Sequence, residues 1–311
     1  METLATGQTP LKLEQSVFDL FDQYVHGAID RRAFLDRAAK MAATGATGGL
    51  SATALLDTLN PRFAEAQQIS RNDGRIRVES VTYDAPEGNG KVRGELAKPA
   101  QAEGKLPAVL VIHENRGLNP HIEDIARRLA VAGYLAFAPD ALTPLGGYPG
   151  DEDKARELFT KLDQAKTRAD FVAAVGYLAH RSDCDGRVGA IGFCWGGGIV
   201  NTLATRVPTL AAGVAFYGMA PELGAVPNIK APLQLHYAEK DDRINASAPA
   251  YEAALKANRV PHEVYRYPGT QHGFNNDTTP RYDKEAAALA WQRTLEWLQK
   301  HLRGGASAVR P

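Results

Sequence analysis

Gly192-Phe193-Cys194-Trp195-Gly196 completes the run Arg187-Val-Gly-Ala-Ile-Gly-Phe193 and leads into Gly197 and Gly198. The run reads as a buried strand and the glycines as the start of a helix, so the cysteine stands where the chain reverses sharply. A turn this tight needs small neighbours on both sides, and it lifts the central side chain above the edge of a sheet. The G-x-C-x-G pattern is therefore a nucleophile elbow with sulfur where a hydroxyl is usual. Behind the thiol, the unpaired N–H groups and dipole of the helix N-terminus favour the thiolate. Cys194 is expected to act as a covalent nucleophile, and the chain to be a hydrolase. The bland alternative is a free cysteine packed as a small core residue.

A nucleophile of this kind needs a base and an orienting acid, which follow it in the order nucleophile, acid, histidine. Pro232-Leu-Gln-Leu-His-Tyr237 reads as a buried strand, and Ala238-Glu239-Lys240-Asp241-Asp242 puts carboxylates at its C-terminal edge. Asp241 is the expected acid, with Asp242 the rival in the same loop. His262-Glu-Val-Tyr-Arg-Tyr267 alternates like a strand and runs into Pro268-Gly-Thr-Gln-His272-Gly273-Phe274, which makes His272 the expected base. His26, His180 and His301 lie in polar helical settings. His113 and His236 fall at strand ends and are expected to be packed.

Acyl transfer also requires an oxyanion hole, one donor of which is the N–H of the residue after the nucleophile, here Trp195. The second comes from the loop after Leu106-Pro-Ala-Val-Leu-Val-Ile112, which reads His113-Glu114-Asn115-Arg116-Gly117. Glu114 is out of place beside a developing oxyanion unless it has another task. One such task is to hold the proton of the resting thiol.

Taken together these motifs resemble the dienelactone hydrolase family (carboxymethylenebutenolidase-like) of α/β-hydrolases, over roughly Arg75 to Leu302. The match is carried by Gly-Phe-Cys194-Trp-Gly-Gly, His-Glu114-Asn-Arg-Gly, Ala-Pro139-Asp140 and His272-Gly-Phe. The resemblance implies a triad of Cys194, Asp241 and His272, a Glu114 that pairs with the resting thiol until substrate displaces it, and oxyanion donors at the N–H groups of Asn115 and Trp195. It also implies two arginines that hold a substrate carboxylate. One falls approximately on Arg156; the other is expected a few residues after the histidine, where this chain has Asn276. A neutral amide does not replace a bidentate guanidinium, so neutral esters or lactones are expected to gain on acidic ones. Tyr217 and Phe274 complete the expected substrate-binding set with Arg156 and Asn276.

The 311 residues are 44% hydrophobic and 23% charged, enough for one large α/β unit with an appendage. Lys plus Arg equals Asp plus Glu, 36 of each, which removes any electrostatic case for nucleic acid or an anionic membrane. Cys184 and Cys194 make one disulfide by count, but Cys194 must stay free to react. No metal site is expected, because His113-Glu114 has Gly117 rather than histidine four residues on from His113 and no other Cys/His cluster has ligand spacing. No cofactor motif is present, and the expected partner is a small ester or lactone, with the oligomeric state left open.

Apolar runs at Leu106–Ile112, Tyr134–Ala138, Arg187–Phe193, Ala211–Phe216, Pro232–Tyr237 and His262–Tyr267 alternate with helical stretches at Ile122–Ala132, Asp151–Leu178, Gly197–Thr205, Ser247–Asn258 and Tyr282–Leu302. Continuous buried runs separated by helices predict an α/β-hydrolase fold, a mostly parallel sheet with helices on both faces. Arg75–Tyr83 and Lys91–Ala97 flank a turn and predict two antiparallel strands. The expected organisation is a leader or helical extension at 1–66, a catalytic domain at 67–303 and a loose tail at 304–311. Within the leader, Arg31-Arg32-Ala-Phe34-Leu35 resembles a twin-arginine export signal, with Ala64-Glu-Ala66 as a cleavage site, implying a periplasmic protein. The competing reading is a cytoplasmic protein with a pair of amphipathic helices, since Val17, Leu20, Phe21 and Tyr24 share a helical face. No run is long and apolar enough to span a membrane.

Overall fold

A computed structural model of the chain describes residues 13–304. The predicted tail lies outside the described residues apart from Gly304, as do the first 12 residues of the leader. The chain divides into two compact units, Met1–Pro61 and Arg62–Pro311.

The first unit holds α1 (Gln15–Val25), α2 (Arg31–Ala43) and α3 (Ala52–Leu59). Val17, Leu20, Phe21 and Tyr24 are buried, as the helical spacing predicts, in a cluster with Phe34, Ala38, Leu55, Leu56 and Leu59. Arg31 and Arg32 open α2, and Asp30 caps it by accepting from the Ala33 N–H at 2.7 Å. An acidic residue at that position is what a helix N-terminus prefers.

The second unit runs α4 (Phe63–Ala66), β1 (Ile76–Ala85), β2 (Gly90–Pro99), β3 (Leu106–Ile112), α5 (Pro120–Val131), β4 (Leu135–Pro139), α6 (Glu152–Phe159), α7 (Gln164–Ala179), β5 (Cys184–Phe193), α8 (Trp195–Arg206), β6 (Ala212–Phe216), β7 (Leu233–Lys240), α9 (Asp242–Asn245), α10 (Ala248–Ala257), β8 (His262–Gln271) and α11 (Lys284–Leu302). One eight-stranded sheet has the order β1-β2-β4-β3-β5-β6-β7-β8. The β1–β2 and β2–β4 pairs are antiparallel and the rest parallel, which is the α/β-hydrolase fold. Side chains alternate across the sheet: along β3, Ala108, Leu110 and Ile112 join a core with α7, α8 and α10, whereas Val109 and Val111 join one with α5 and α11. The loops at the strands' C-terminal ends thus emerge from a slab buried on both faces. Among the described residues no helix is long and apolar enough to cross a membrane.

One expectation needs correction. Asp151–Leu178 reads as a single helix, but the chain breaks after Phe159 and restarts at Gln164. Asp163 is the cause, because its carboxylate accepts from the N–H groups of Ala165 and Lys166 and so caps a new helix.

Candidate active site

At the C-terminal end of β5 the backbone of Cys194 takes φ 54°, ψ −114°, a conformation that side-chain-bearing residues rarely adopt. Two close approaches hold it there. A Cβ on Gly192 would lie 2.1 Å from the Gly196 carbonyl oxygen, and one on Gly196 would lie 2.3 Å from that of Ile112. Only glycine fits either position, so the strand end and the start of α8 sit against the end of β3. The Cys194 N–H donates to the Phe216 carbonyl at 3.0 Å, tying the elbow to β6. Neither Cys194 nor Cys184 is in a disulfide, and both are buried.

Asp241 follows β7 and caps α9, accepting from the Ile244 N–H with Oδ1. Its Oδ2 lies 2.5 Å from Nδ1 of His272, the first residue after β8, and both side chains are at most 5% exposed. Asp242 is exposed on α9. Sγ of Cys194 and a ring nitrogen of His272 lie within 4.8 Å of each other. Burial works against charging this imidazole, but the Asp241 carboxylate and Cys194 outweigh it and raise His272 to about 10. Cysteine, histidine and aspartate are therefore adjacent groups, and the electrostatics favour the charged form of the histidine.

Glu114 faces the same space. One carboxylate oxygen accepts from the Asn276 side-chain amide at 3.1 Å, a contact spanning 162 residues of chain. Asn276 is 2% exposed, and its carbonyl oxygen accepts from the Thr278 N–H and hydroxyl. Its amide thus braces the loop and Glu114. Phe274 is fully buried among Phe216, Tyr217 and Tyr267, behind the histidine. Tyr217 begins the loop after β6 at φ 37°, with its ring 4.9 Å from that of His272. Among the described residues its buried hydroxyl has no hydrogen-bond partner. Burial and the neighbouring Glu114 and Cys194 push that phenol well above its ordinary range, so it stays a neutral O–H.

Three arginines border this cluster. Arg116 is buried beside Glu152 at 3.6 Å and near enough to Arg156, Glu114 and Cys194 to sense their charges. Arg156 thus stands with Arg116 at one edge. Arg281 reaches back to within 3.3 Å of where a Cβ on Gly273 would be, and its charge is felt at Tyr217. Sequence reasoning assigned no role to Arg116 or Arg281. Arg281 lies nine residues beyond the histidine, outside the window in which an arginine was expected.

Asp140, quoted in a motif but given no role, organises the rim. Its carboxylate accepts from the N–H groups of Leu118, Leu142 and Tyr148 at 2.8–3.1 Å, joining the loop after β3 to the one after β4. That loop carries Glu114, Asn115 and Arg116. Trp195, the first residue of α8, stacks on His113 and donates its indole N–H to Gln164 at 3.2 Å.

A mostly parallel sheet with a strained elbow after β5 and acid and histidine loops after β7 and β8 defines an α/β-hydrolase. Residues 92–302 match the Dienelactone hydrolase family, and the chain belongs to that family. Residues 6–40 match a second family, described as YqhI-like. The chain is 56% identical to a candidate hydrolase fragment, YghX of Escherichia coli (strain K12), over 114 residues, 37% of this chain and 97% of the fragment. It is 32% identical to a candidate carboxymethylenebutenolidase of Synechocystis sp. over 246 residues, 73% of this chain and 99% of the relative. The crystal structure of a candidate dienelactone hydrolase from Klebsiella pneumoniae superposes with a TM-score of 0.63 at 31% identity, covering 72% of this chain and 99% of that one.

Proposed function

We propose that the protein hydrolyses small carboxylic esters or lactones through Cys194, His272 and Asp241 and a covalent thioester. The observation that carries this reading is the juxtaposition of an elbow cysteine with a buried His272–Asp241 pair, whose carboxylate favours the charged imidazole. The Cys194 thiolate attacks the substrate carbonyl, and the N–H groups of Asn115 and Trp195 receive the oxyanion. Collapse expels the alcohol, which takes a proton from His272, and leaves the acyl group on sulfur. His272 then takes a proton from water as the water attacks the thioester, and the acid departs as the thiolate re-forms. The hydroxyl of Tyr217, buried beside this centre, is the neutral donor available to a bound substrate. Arg116, Arg156 and Arg281 are the cations that border this centre, and a substrate carboxylate would meet their charge. Arg281 lies against Gly273, close to where the resemblance implies a second arginine, so the proposed substrate range includes acidic esters and lactones.

The reading is tested with a short-chain chromogenic ester before and after iodoacetamide. Activity should disappear as one equivalent of label enters Cys194, and mapping of the label to Cys184 with activity retained would sink it.

Glu114 supports a finer proposal, that its carboxylate takes up the thiol proton in the resting enzyme. Asn276 holds one of its oxygens, which leaves the other to serve. Glu114→Gln is expected to leave KM within about twofold while lowering kcat roughly 10- to 100-fold and displacing the acid limb of the rate profile, in keeping with loss of a proton acceptor. An unchanged pH–rate profile would leave Glu114 as a structural brace for the loop.

A further inference from the structure

His113 is completely buried, and both of its ring nitrogens are committed. Nε2 lies 3.1 Å from the backbone nitrogen of Ala141, which is only a donor, so Nε2 must accept and the proton must sit on Nδ1. That Nδ1–H points to the carbonyl oxygen of Glu114 at 2.5 Å. The described chain has no cis peptide bond, so the N–H of Asn115 leaves the same peptide plane on the side opposite this carbonyl. Fixing the carbonyl therefore fixes where the Asn115 N–H aims. The same ring stacks on the indole of Trp195, centroids 5.4 Å apart and planes within 16°. Phe159 and Phe171 meet both rings edge-on.

We propose that His113 is a positioning residue for the oxyanion hole. A single imidazole in one tautomer sets the Glu114–Asn115 peptide and supports Trp195, the two residues whose N–H groups receive the oxyanion. The inference rests on the hydrolytic reading above and deepens it by naming what holds the donors. Burial keeps the ring neutral by pushing its pKa down against the opposing pull of Asp140 and Glu114. Protonation would place a second donor against the Ala141 N–H, so the neutral form is the one the arrangement requires.

Two amides separate the ring's two bonds. In His113→Asn the side-chain NH2 takes the place of Nδ1 and keeps the bond to the Glu114 carbonyl. In His113→Gln the side-chain oxygen reaches the place of Nε2 and keeps only the bond from Ala141. Both variants are made in the full chain, checked by thermal unfolding and assayed for kcat, KM and the rate of Cys194 alkylation by iodoacetamide. Alkylation forms no oxyanion, so it reports on the nucleophile alone. The Gln variant is expected to lose roughly 100-fold in kcat, the scale of one lost oxyanion donor, with KM and alkylation within about threefold, whereas the Asn variant keeps kcat within about tenfold of the parent. A trifluoromethyl ketone, which is bound as an oxyanion, should weaken in parallel with kcat. Equal kcat in the two variants, or a Gln variant as active as the parent, would overturn the proposal, as would alkylation falling in step with kcat. Failure of the underlying reading looks different: the parent itself would remain active after Cys194 is alkylated.

Discussion

Cys194→Ala is expected to lower kcat/KM for a short-chain ester by about 10⁴-fold or more while the protein keeps its fold, because removing a nucleophile removes the covalent route altogether. The elbow does not depend on sulfur for its shape. Its geometry comes from the Cys194 N–H bond to Phe216 and from the two glycines that let β5, α8 and β3 meet. Alanine keeps the backbone N–H and the Cβ and drops one buried atom, which costs about 1 kcal/mol on the scale of a buried methylene-sized group. Measurement of kcat/KM alongside the midpoint of thermal unfolding decides the matter. Residual turnover above about a hundredth of the parent in a protein of normal stability would mean that another group attacks the carbonyl.

The parts of the site that were legible in the sequence are those written in local punctuation. A small-residue strand ending in G-x-C-x-G specifies the elbow because steric exclusion at Gly192 and Gly196 acts within a few residues of the cysteine and against one neighbouring strand. Asp241 and His272 were legible for a related reason, since the first follows a buried apolar strand and the second an alternating one, both at the sheet's C-terminal edge, where loops carry chemistry. Continuous apolar runs, one alternating run and a turn between two extended segments also located all eight strands to within a few residues.

What was not legible depends on contacts between distant segments. The amide of Asn276 on Glu114 and the carboxylate of Asp140 on three backbone N–H groups come from loops on different strands, and no spacing rule predicts which loop a short polar side chain will brace. Arg281 was overlooked because its guanidinium returns over Gly273 from nine residues away. The packing of Phe274 against Tyr217 and Tyr267 is likewise a long-range contact that no local spacing announces. The break at Asp163 shows the converse error, in which apolar content masked a capping residue.

Asp241→Asn carries the other large effect, and its sign follows from the electrostatics. Asp241 is the leading favourable influence on a His272 imidazolium that burial opposes, and together with Cys194 it raises the group to about 10 from an ordinary 6.5. An imidazolium that must hand its proton to the leaving alcohol stops working as pH passes its pKa, so the parent's activity should persist to about pH 10 on the alkaline side. Asparagine removes the charge and also offers an NH2 group to Nδ1, which favours the wrong tautomer. The variant is therefore expected to lose about 10³- to 10⁴-fold in kcat, the scale of this change in other triads, with the alkaline limb of kcat/KM moving toward neutrality. The same shift acts on folding. Because the folded pKa lies above the unfolded one, the charged pair contributes its full stabilisation below pH 6.5 and loses it as pH rises through about 10. Comparing Cys194→Ala with Cys194→Ala/Asp241→Asn isolates that contribution from the thiol. The stability of the first should fall more than that of the second as pH rises above 6.5, the direction that Asp241 alone imposes on His272. Parallel stability curves, together with an alkaline limb that does not move, would mean that the Asp241 carboxylate does not hold the proton on His272.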